Sequence, residues 1–170
     1  MTGYIYDELN REARIGAAGA EKTREVALID MSDYETRKVE IADALWDSAT
    51  GLGLFQLTNH GIPLSQIEEA FALSEAFFAL PETEKSKLPL KPGSNAGWEF
   101  KSQVRPSTGT PDQKESYQIT RPRMDGLWPE PAALPGFRDA MLAFEDANWQ
   151  VAMRVLECFG MKLGFAEGFF

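Results

Sequence analysis

Residues 51–63 read Gly-Leu-Gly-Leu-Phe-Gln-Leu-Thr-Asn-His-Gly-Ile-Pro and contain His60, the single histidine of the chain. Residues 54–58 form an apolar run of strand length that ends in a polar turn. Pro63 follows the turn, and proline is well tolerated at the start of a helix. The stretch therefore predicts a short buried strand joined to a helix by a turn that carries His60.

The residues before this stretch predict a second strand and a helix. Residues 26–30, Val-Ala-Leu-Ile-Asp, are apolar and short, and we expect a strand that is buried on both faces. Ser32 and Glu35 have the spacing of a capping box, and apolar residues then recur every three or four positions. A strand, a helix over 33–50 and a strand over 53–58 form a crossover unit, so the two strands should be parallel if they share a sheet.

A second helix is predicted downstream, from about residue 64. Ser65 and Glu68 again have capping-box spacing, and an apolar stripe continues to Phe77 and Phe78. We expect both phenylalanines to lie in the core. A short helical turn should follow over 81–85.

Regular periodicity is lost between this helix and the end of the chain. Residues 88–113 are rich in proline and glycine, and they predict a long irregular surface loop. Residues 114–120 alternate enough to form an edge strand. Apolar residues spaced three or four apart then predict a long helix from residue 135 to about residue 164. These elements place the chain in the α+β class, mainly helical with short strands.

Composition excludes several functional classes. The formal net charge is −9, whereas nucleic-acid-binding proteins concentrate Lys and Arg, so we expect no nucleic-acid partner. A single cysteine, Cys158, permits no internal disulfide, and its apolar helical neighbours favour a buried, unreactive thiol. No apolar stretch is long enough to span a bilayer. We therefore predict a cytoplasmic protein without a membrane partner.

Six motifs resemble, in the same order, the N-terminal region of the isopenicillin N synthase-like branch of the 2-oxoglutarate- and iron(II)-dependent dioxygenases. Each motif is weak alone, and their order makes the resemblance specific. The resemblance extends over residues 26–170. They are 26–32 (Val-Ala-Leu-Ile-Asp-Met-Ser), 51–63, 77–85 (Phe-Phe-Ala-Leu-Pro-Glu-Thr-Glu-Lys), 95–99 (Asn-Ala-Gly-Trp-Glu), 112–119 and 128–137.

The resemblance implies an iron site built from a His-x-Asp motif and a distant histidine, with an Arg-x-Ser motif binding 2-oxoglutarate. The His-x-Asp motif does not occur in this chain, and its only histidine, His60, is followed by Gly61 and Ile62. We therefore expect His60 to be structural, with hydrogen bonds to backbone or side chains in its turn. The resemblance implies no catalytic and no metal-binding residue here. Iron(II) and 2-oxoglutarate would be cofactors of the full-length protein, and we expect this chain alone to bind neither.

The resemblance also implies that the Asn-Ala-Gly-Trp-Glu motif approaches the mouth of the substrate cavity. We predict Asn95, Trp98 and Glu99 as substrate-binding residues for a small organic molecule. The alternative interpretation, an ordinary loop anchored by a buried tryptophan, stays open. Lys101 and Arg105 could meet an anionic substrate, but a solvated charge is the favoured interpretation.

The resemblance divides the chain into three regions. These are a polar N-terminal arm (1–25), a non-haem dioxygenase N-terminal domain (26–134) with the loop over 88–113, and a long helix (135–170). This helix would lead into a double-stranded β-helix, or jelly roll, that the chain lacks. The predicted function is the N-terminal half of an oxidoreductase that hydroxylates, desaturates or cyclises its substrate. The alternative is a non-catalytic helical interaction module derived from that family.

Overall fold

The structure is a computed structural model that describes residues 25–104 and 108–170. Most of the predicted N-terminal arm and Arg105 lie outside these residues. The described elements mix helices with short strands and form no closed barrel, which confirms the mixed class. In chain order they are β1 (Ala27–Asp30), α1 (Tyr34–Gly51), β2 (Phe55–Thr58), α2 (Leu64–Ala79), α3 (Glu82–Lys85), β3 (Gly97–Phe100), β4 (Glu115–Gln118) and α4 (Phe137–Leu163).

The described residues divide into two compact units. The first comprises residues 25–59 and 157–170, and the second comprises residues 60–104 and 108–156. The predicted boundary at residue 134 stays a prediction for the whole protein. None of the described helices is long and apolar enough to cross a membrane.

The first unit contains the predicted crossover. Strands β1 and β2 pair in parallel, with Ala27 opposite Phe55 and Asp30 opposite Thr58, so the predicted pairing is confirmed. The expectation that β1 is buried on both faces is wrong. Ile29 is 5% exposed but the adjacent Leu28 is 65% exposed. Successive strand residues point to opposite faces, and within the described residues only one face of this sheet is covered.

The end of α4 packs within this first unit. Cys158 is fully buried beside Tyr34, so the predicted buried thiol is confirmed, and burial raises the pKa of Cys158. Glu157 accepts hydrogen bonds from the Tyr34 hydroxyl at 3.0 Å and from Lys38 Nζ at 2.7 Å. These contacts attach the last turns of α4 to the first turns of α1.

Both predicted capping boxes are wrong. Helix α1 begins after Asp33, whose backbone is left-handed at φ 51°, and no side chain caps the helix. Ser32 instead donates its hydroxyl to Asp30 Oδ2 at 2.8 Å. Helix α2 begins directly after Pro63, as predicted, so Ser65 lies inside the helix where it cannot act as the N-cap.

The core of the second unit is aromatic. Phe77 is 1% exposed, and its ring centroid lies 4.3 Å from that of Tyr117 and 5.4 Å from that of Phe137. Leu88 also belongs to this cluster. The prediction for Phe77 is confirmed, but the prediction for Phe78 is wrong because 39% of it is exposed. Adjacent helix residues point about 100° apart, so a core on one side of α2 buries only one of the pair.

The predicted loop over 88–113 is interrupted by strand β3, which corrects the sequence interpretation. β3 pairs antiparallel with β4, and Trp98 lies opposite Tyr117. The Trp98 amide also donates to the Leu88 carbonyl at 2.6 Å, which holds the chain before β3 against the strand. The predicted edge strand is confirmed as β4. The long helix is confirmed as α4, which ends before Gly164 at φ 76°.

Candidate functional site

The β3–β4 hairpin positions two of the three predicted substrate-binding residues. Trp98 and Glu99 are adjacent in β3, and they lie opposite Tyr117 and Ser116 of β4. Side chains of successive strand residues point to opposite faces of a sheet. The hairpin therefore separates Trp98 from Glu99, and it has one aromatic face and one polar face.

Trp98 is anchored on the aromatic face. Its indole Nε1 donates to Glu115 Oε1 at 2.7 Å, and Lys85 Nζ lies 2.6 Å from the same oxygen. The Trp98 ring is nearly parallel to that of Phe100, at a centroid distance of 6.1 Å. Trp98 also packs against the core cluster around Phe77. This arrangement supports the interpretation of Trp98 as an anchor of the hairpin.

Glu99 is the centre of the polar face and is only 8% exposed. Its Oε2 accepts a hydrogen bond from the Ser102 hydroxyl. Its Oε1 accepts from Ser116 Oγ at 2.8 Å and from the amides of Gln103 at 3.3 Å and Gln118 at 3.4 Å. The Ser102 and Ser116 hydroxyls lower the pKa of Glu99 by stabilising its charged form. Glu99 is therefore a carboxylate that is fixed in position and ionised near neutral pH.

The four residues that hydrogen-bond to Glu99 were not predicted from the sequence. For Ser116 and Gln118 the sequence carried one signal. Residues alternate between the two faces of a strand, so both lie on the face of β4 opposite to Tyr117. Recognising them as partners of Glu99 required the register of the hairpin. We call this set the polar cluster, and it comprises Glu99, Ser102, Gln103, Ser116 and Gln118.

Asn95 lies at the entrance to β3, apart from the polar cluster. Its backbone is left-handed at φ 53°, its side chain is exposed, and its carbonyl accepts from Thr120 Oγ1 at 2.6 Å. Lys101 follows the strand, and its Nζ lies 4.7 Å from the centroid of the Phe100 ring. The three predicted substrate-binding residues thus occupy three different environments.

A second carboxylate lies at the carboxyl ends of β1 and β2. Asp30 Oδ1 accepts from the Ser32 amide at 2.9 Å and from Asn59 Nδ2 at 2.8 Å. Arg37 Nη1 lies 3.6 Å from Oδ2. The bond from the Ser32 amide, followed by that from Asn59, lowers the pKa of Asp30 to about 2. These partners join the two strand ends to the start of α1, which indicates a structural role.

His60 has the structural environment that the sequence predicts. Its Nδ1 accepts a hydrogen bond from the Ile62 amide at 3.2 Å, which closes the turn before α2. Within residues 25–104 and 108–170, no group of three or more His, Cys, Asp or Glu side chains could hold a metal ion.

The sequence matches a known family of oxygenase domains. Residues 26–132, more than half of the chain, match the family described as non-haem dioxygenase in morphine synthesis N-terminal. The chain belongs to this family, and the resemblance described from the motifs is confirmed. The iron(II) site that this family implies does not fit the described residues, because the single histidine of the chain cannot supply a two-histidine, one-carboxylate site.

Two individual relatives are similar to most of the chain. The UPF0676 protein C1494.01 of Schizosaccharomyces pombe is 32% identical over 155 residues, which cover 86% of this chain and 46% of that protein. The 2-oxoglutarate-Fe(II) type oxidoreductase ppzD of Metarhizium rileyi is 32% identical over 143 residues, covering 74% of this chain and 40% of the relative.

Solved structures agree with this assignment. A full-length Neurospora crassa protein, crystallised in complex with alpha-KG, superposes with a TM-score of 0.74 at 28% identity. The match covers 90% of this chain and 51% of that structure. The chain thus spans about half the length of the relatives that it matches.

Proposed function

We propose that this chain is the N-terminal half of an iron(II)- and 2-oxoglutarate-dependent oxidoreductase that hydroxylates, desaturates or cyclises a small organic substrate. One observation carries the proposal: 90% of the chain superposes on about half of a fungal protein whose structure contains alpha-KG. The name of the Metarhizium relative also includes 2-oxoglutarate and iron(II). The family membership supports the shared chemistry but leaves the substrate open.

In this proposal the chain supplies scaffold and part of the substrate-cavity wall, and the cofactor-binding residues belong to a C-terminal jelly-roll barrel. The exposed apolar side chains of the first unit support this division. Leu28 and Leu54 are 65% and 60% exposed, and a two-stranded sheet is rarely stable alone. The barrel would cover these residues and extend the sheet. The 170-residue chain alone would be inactive, and it would bind iron(II) no more tightly than any acidic protein of similar charge. A cytoplasmic location remains part of the proposal.

The polar cluster is the part of the predicted site that best suits a substrate contact. Glu99 is ionised and fixed by strong bonds from two serines, whereas its bonds to Gln103 and Gln118 are long. A substrate N–H or O–H group could replace an amide at Oε1 without displacing the serines. Asn95 would lie at the edge of the same cavity, and Trp98 would support the strand from its other face.

The test uses the product of the whole gene, with succinate release measured against a panel of small organic substrates. Glu99→Gln keeps the shape of the side chain but removes its charge. We expect KM to rise about tenfold, equivalent to about 1.4 kcal/mol, with little change in kcat. Glu130→Gln is the matched control, because Glu130 is exposed and its backbone carbonyl, not its side chain, accepts the local hydrogen bonds.

Two outcomes would contradict the proposal at different levels. A whole gene product that releases no succinate with any substrate would favour the alternative, a non-catalytic helical interaction module. Turnover with unchanged KM in Glu99→Gln would retain the oxidoreductase but remove Glu99 from the cavity wall.

A further inference from the structure

Helix α2 has an apolar stripe on its exposed side. Leu64, Phe71 and Phe78 recur every seven residues and are 68%, 73% and 39% exposed. Ile67 and Ser74 lie between them, at the second core position of a heptad repeat, and are partly exposed. The side of α2 that carries Ala70 and Phe77, about 100° around the helix from the stripe, is buried. The stripe is therefore a separate feature from the core-facing side of the helix.

The stripe is accompanied by acidic residues. Glu68 and Glu75 follow Leu64 and Phe71 by four positions, and Glu69 lies beside Glu68. Helix α2, which the structure describes completely, contains no Lys or Arg. Within the described part of the chain, none of these three carboxylates takes part in a salt bridge or hydrogen bond. An exposed apolar surface with uncompensated negative charge indicates a positively charged partner.

We propose that the stripe of α2 (Leu64, Phe71 and Phe78) binds a basic amphipathic helix of a partner protein. The partner would place apolar residues on the stripe and Lys or Arg beside Glu68 and Glu75, as flanking charges select partners in helix pairs. The proposed oxidoreductase activity is not part of this inference, which requires only that the rest of the whole protein leave the stripe exposed.

Charge disfavours two other occupants. A second copy of α2 would bring acidic residues against acidic residues in either orientation, and each chain carries a formal net charge of −9. An anionic membrane would be repelled by the same carboxylates. Three side chains along a helix of 16 residues also offer less area than a stable dimer requires, so the contact should be weak and transient.

The probe is a synthetic helical peptide of about three heptads, with leucine at the a and d positions and lysine at e and g. Fluorescence anisotropy of the labelled peptide measures its binding to the 170-residue chain. We expect a dissociation constant on the order of 10–100 μM, typical of a small transient contact. A peptide with glutamate in place of lysine, and a scrambled lysine peptide of equal composition, should bind at least about tenfold more weakly.

Matched variants locate the binding site. Phe71→Ser should weaken binding of the lysine peptide about tenfold or more, whereas Val39→Ser on α1, a residue that is 65% exposed, should leave it unchanged. Glu68→Lys/Glu75→Lys should reverse the preference between lysine and glutamate peptides. The control pair Glu35→Lys/Asp47→Lys, also exposed and on α1, should not reverse it. Circular dichroism checks that each variant is folded.

Four results would overturn the proposal. The first is equal binding of the scrambled peptide, which would mean attraction by net charge alone. The second is equal weakening by Phe71→Ser and Val39→Ser. In the third, sedimentation shows a dimer that Phe71→Ser abolishes, so that a second copy covers the stripe. In the fourth, the product of the whole gene no longer binds the lysine peptide, so that the rest of the protein covers it.

Discussion

The two short sheets each position a carboxylate, but they do so with different parts of the chain. In the β1–β2 sheet, Asp30 takes its first hydrogen bond from Ser32, two residues away. In the β3–β4 hairpin, Glu99 depends on Ser116, which is 17 residues away in the partner strand. Asp30 also accepts from Asn59, 29 residues away, so its site is complete only when the ends of β1 and β2 lie side by side. Glu99 has a local partner too, Ser102, but its bonds to Ser116 and Gln118 form only when the hairpin is in register.

The two sheets also differ in what supports them. β3–β4 contacts an aromatic core through Tyr117 and Trp98, and both of these side chains pack against the cluster around Phe77. β1–β2 is covered by α1 and remains exposed at Leu28. The stability of the hairpin proposed for substrate contact should therefore respond strongly to substitutions in the distant core. The parallel sheet should depend more on its local polar bonds.

The largest effect is expected for Phe77→Ala. Removing a fully buried aromatic ring should cost about 3–5 kcal/mol and loosen the support of β3–β4. The adjacent Phe78→Ala is the matched control, and it should cost about 1 kcal/mol because its ring is partly exposed. Urea unfolding of the 170-residue chain, followed by tryptophan fluorescence, measures both. Similar losses for the two variants would contradict the assigned core.

An intermediate effect is expected for Gly97→Ala at the start of β3. The backbone there has φ +109°, and a Cβ would lie 2.5 Å from the Pro89 carbonyl oxygen, so the strand would have to move. We expect a loss of about 2–4 kcal/mol together with a rise in the pKa of Glu99 as its partners shift. Urea unfolding and NMR titration of the Glu99 carboxyl measure the two effects.

Gly93→Ala distinguishes the two causes of the loss expected for Gly97→Ala, which are backbone strain at a positive φ and the close contact with Pro89. Gly93 also has a positive φ, +69°, but its Cβ would meet no atom within 4 Å. It should therefore lose only about 1–2 kcal/mol from backbone strain and leave the Glu99 pKa unchanged. Equal losses in the two variants would show that close packing at Pro89 does not hold the strand.

The smallest effect at neutral pH is expected for Asp30→Asn, because Asp30 is partly solvated and an amide can keep some of its bonds. The pKa of Asp30 is about 2 in the folded chain, against an ordinary value of 3.8. Between these values the unfolded state binds more protons, so the stabilisation is present above about pH 4 and is lost as pH falls toward 2. Melting temperatures between pH 2 and 6 should fall less steeply in Asp30→Asn than in the native chain. Parallel curves would contradict the lowered pKa.

The sequence predicted the elements whose signals are local. The parallel pairing of β1 and β2 followed from a strand–helix–strand order, and α4 followed from a repeat of apolar residues. Strand β3 was not predicted, because it has only four residues and they are surrounded by prolines and glycines. Its partner strand β4 also lies beyond the intervening loop, so no local pattern shows the pairing. The capping boxes failed because spacing alone does not show where a helix begins. Pro63 starts α2 two residues before Ser65, and Ser32 bonds to Asp30 instead.

The candidate site was predicted only in part. The motif at 95–99 indicated Asn95, Trp98 and Glu99, but a motif cannot show that adjacent strand residues face opposite sides of a hairpin. The buried environment of Glu99 comes from Ser116 and Gln118, which the sequence separates from it by 17 and 19 residues. These two partners became apparent only once the register was known.

The sequence by itself determined the family, the helical repeats and the absence of a two-histidine iron site, since these depend on residue types and their local spacing. The tertiary structure decided which of two adjacent phenylalanines is buried, which carboxylate is enclosed, and which stripe of α2 stays exposed. Periodicity shows that a helix has an apolar side, but burial depends on what other segments place against it. Those contacts are made between residues far apart in the chain, so no local pattern records them.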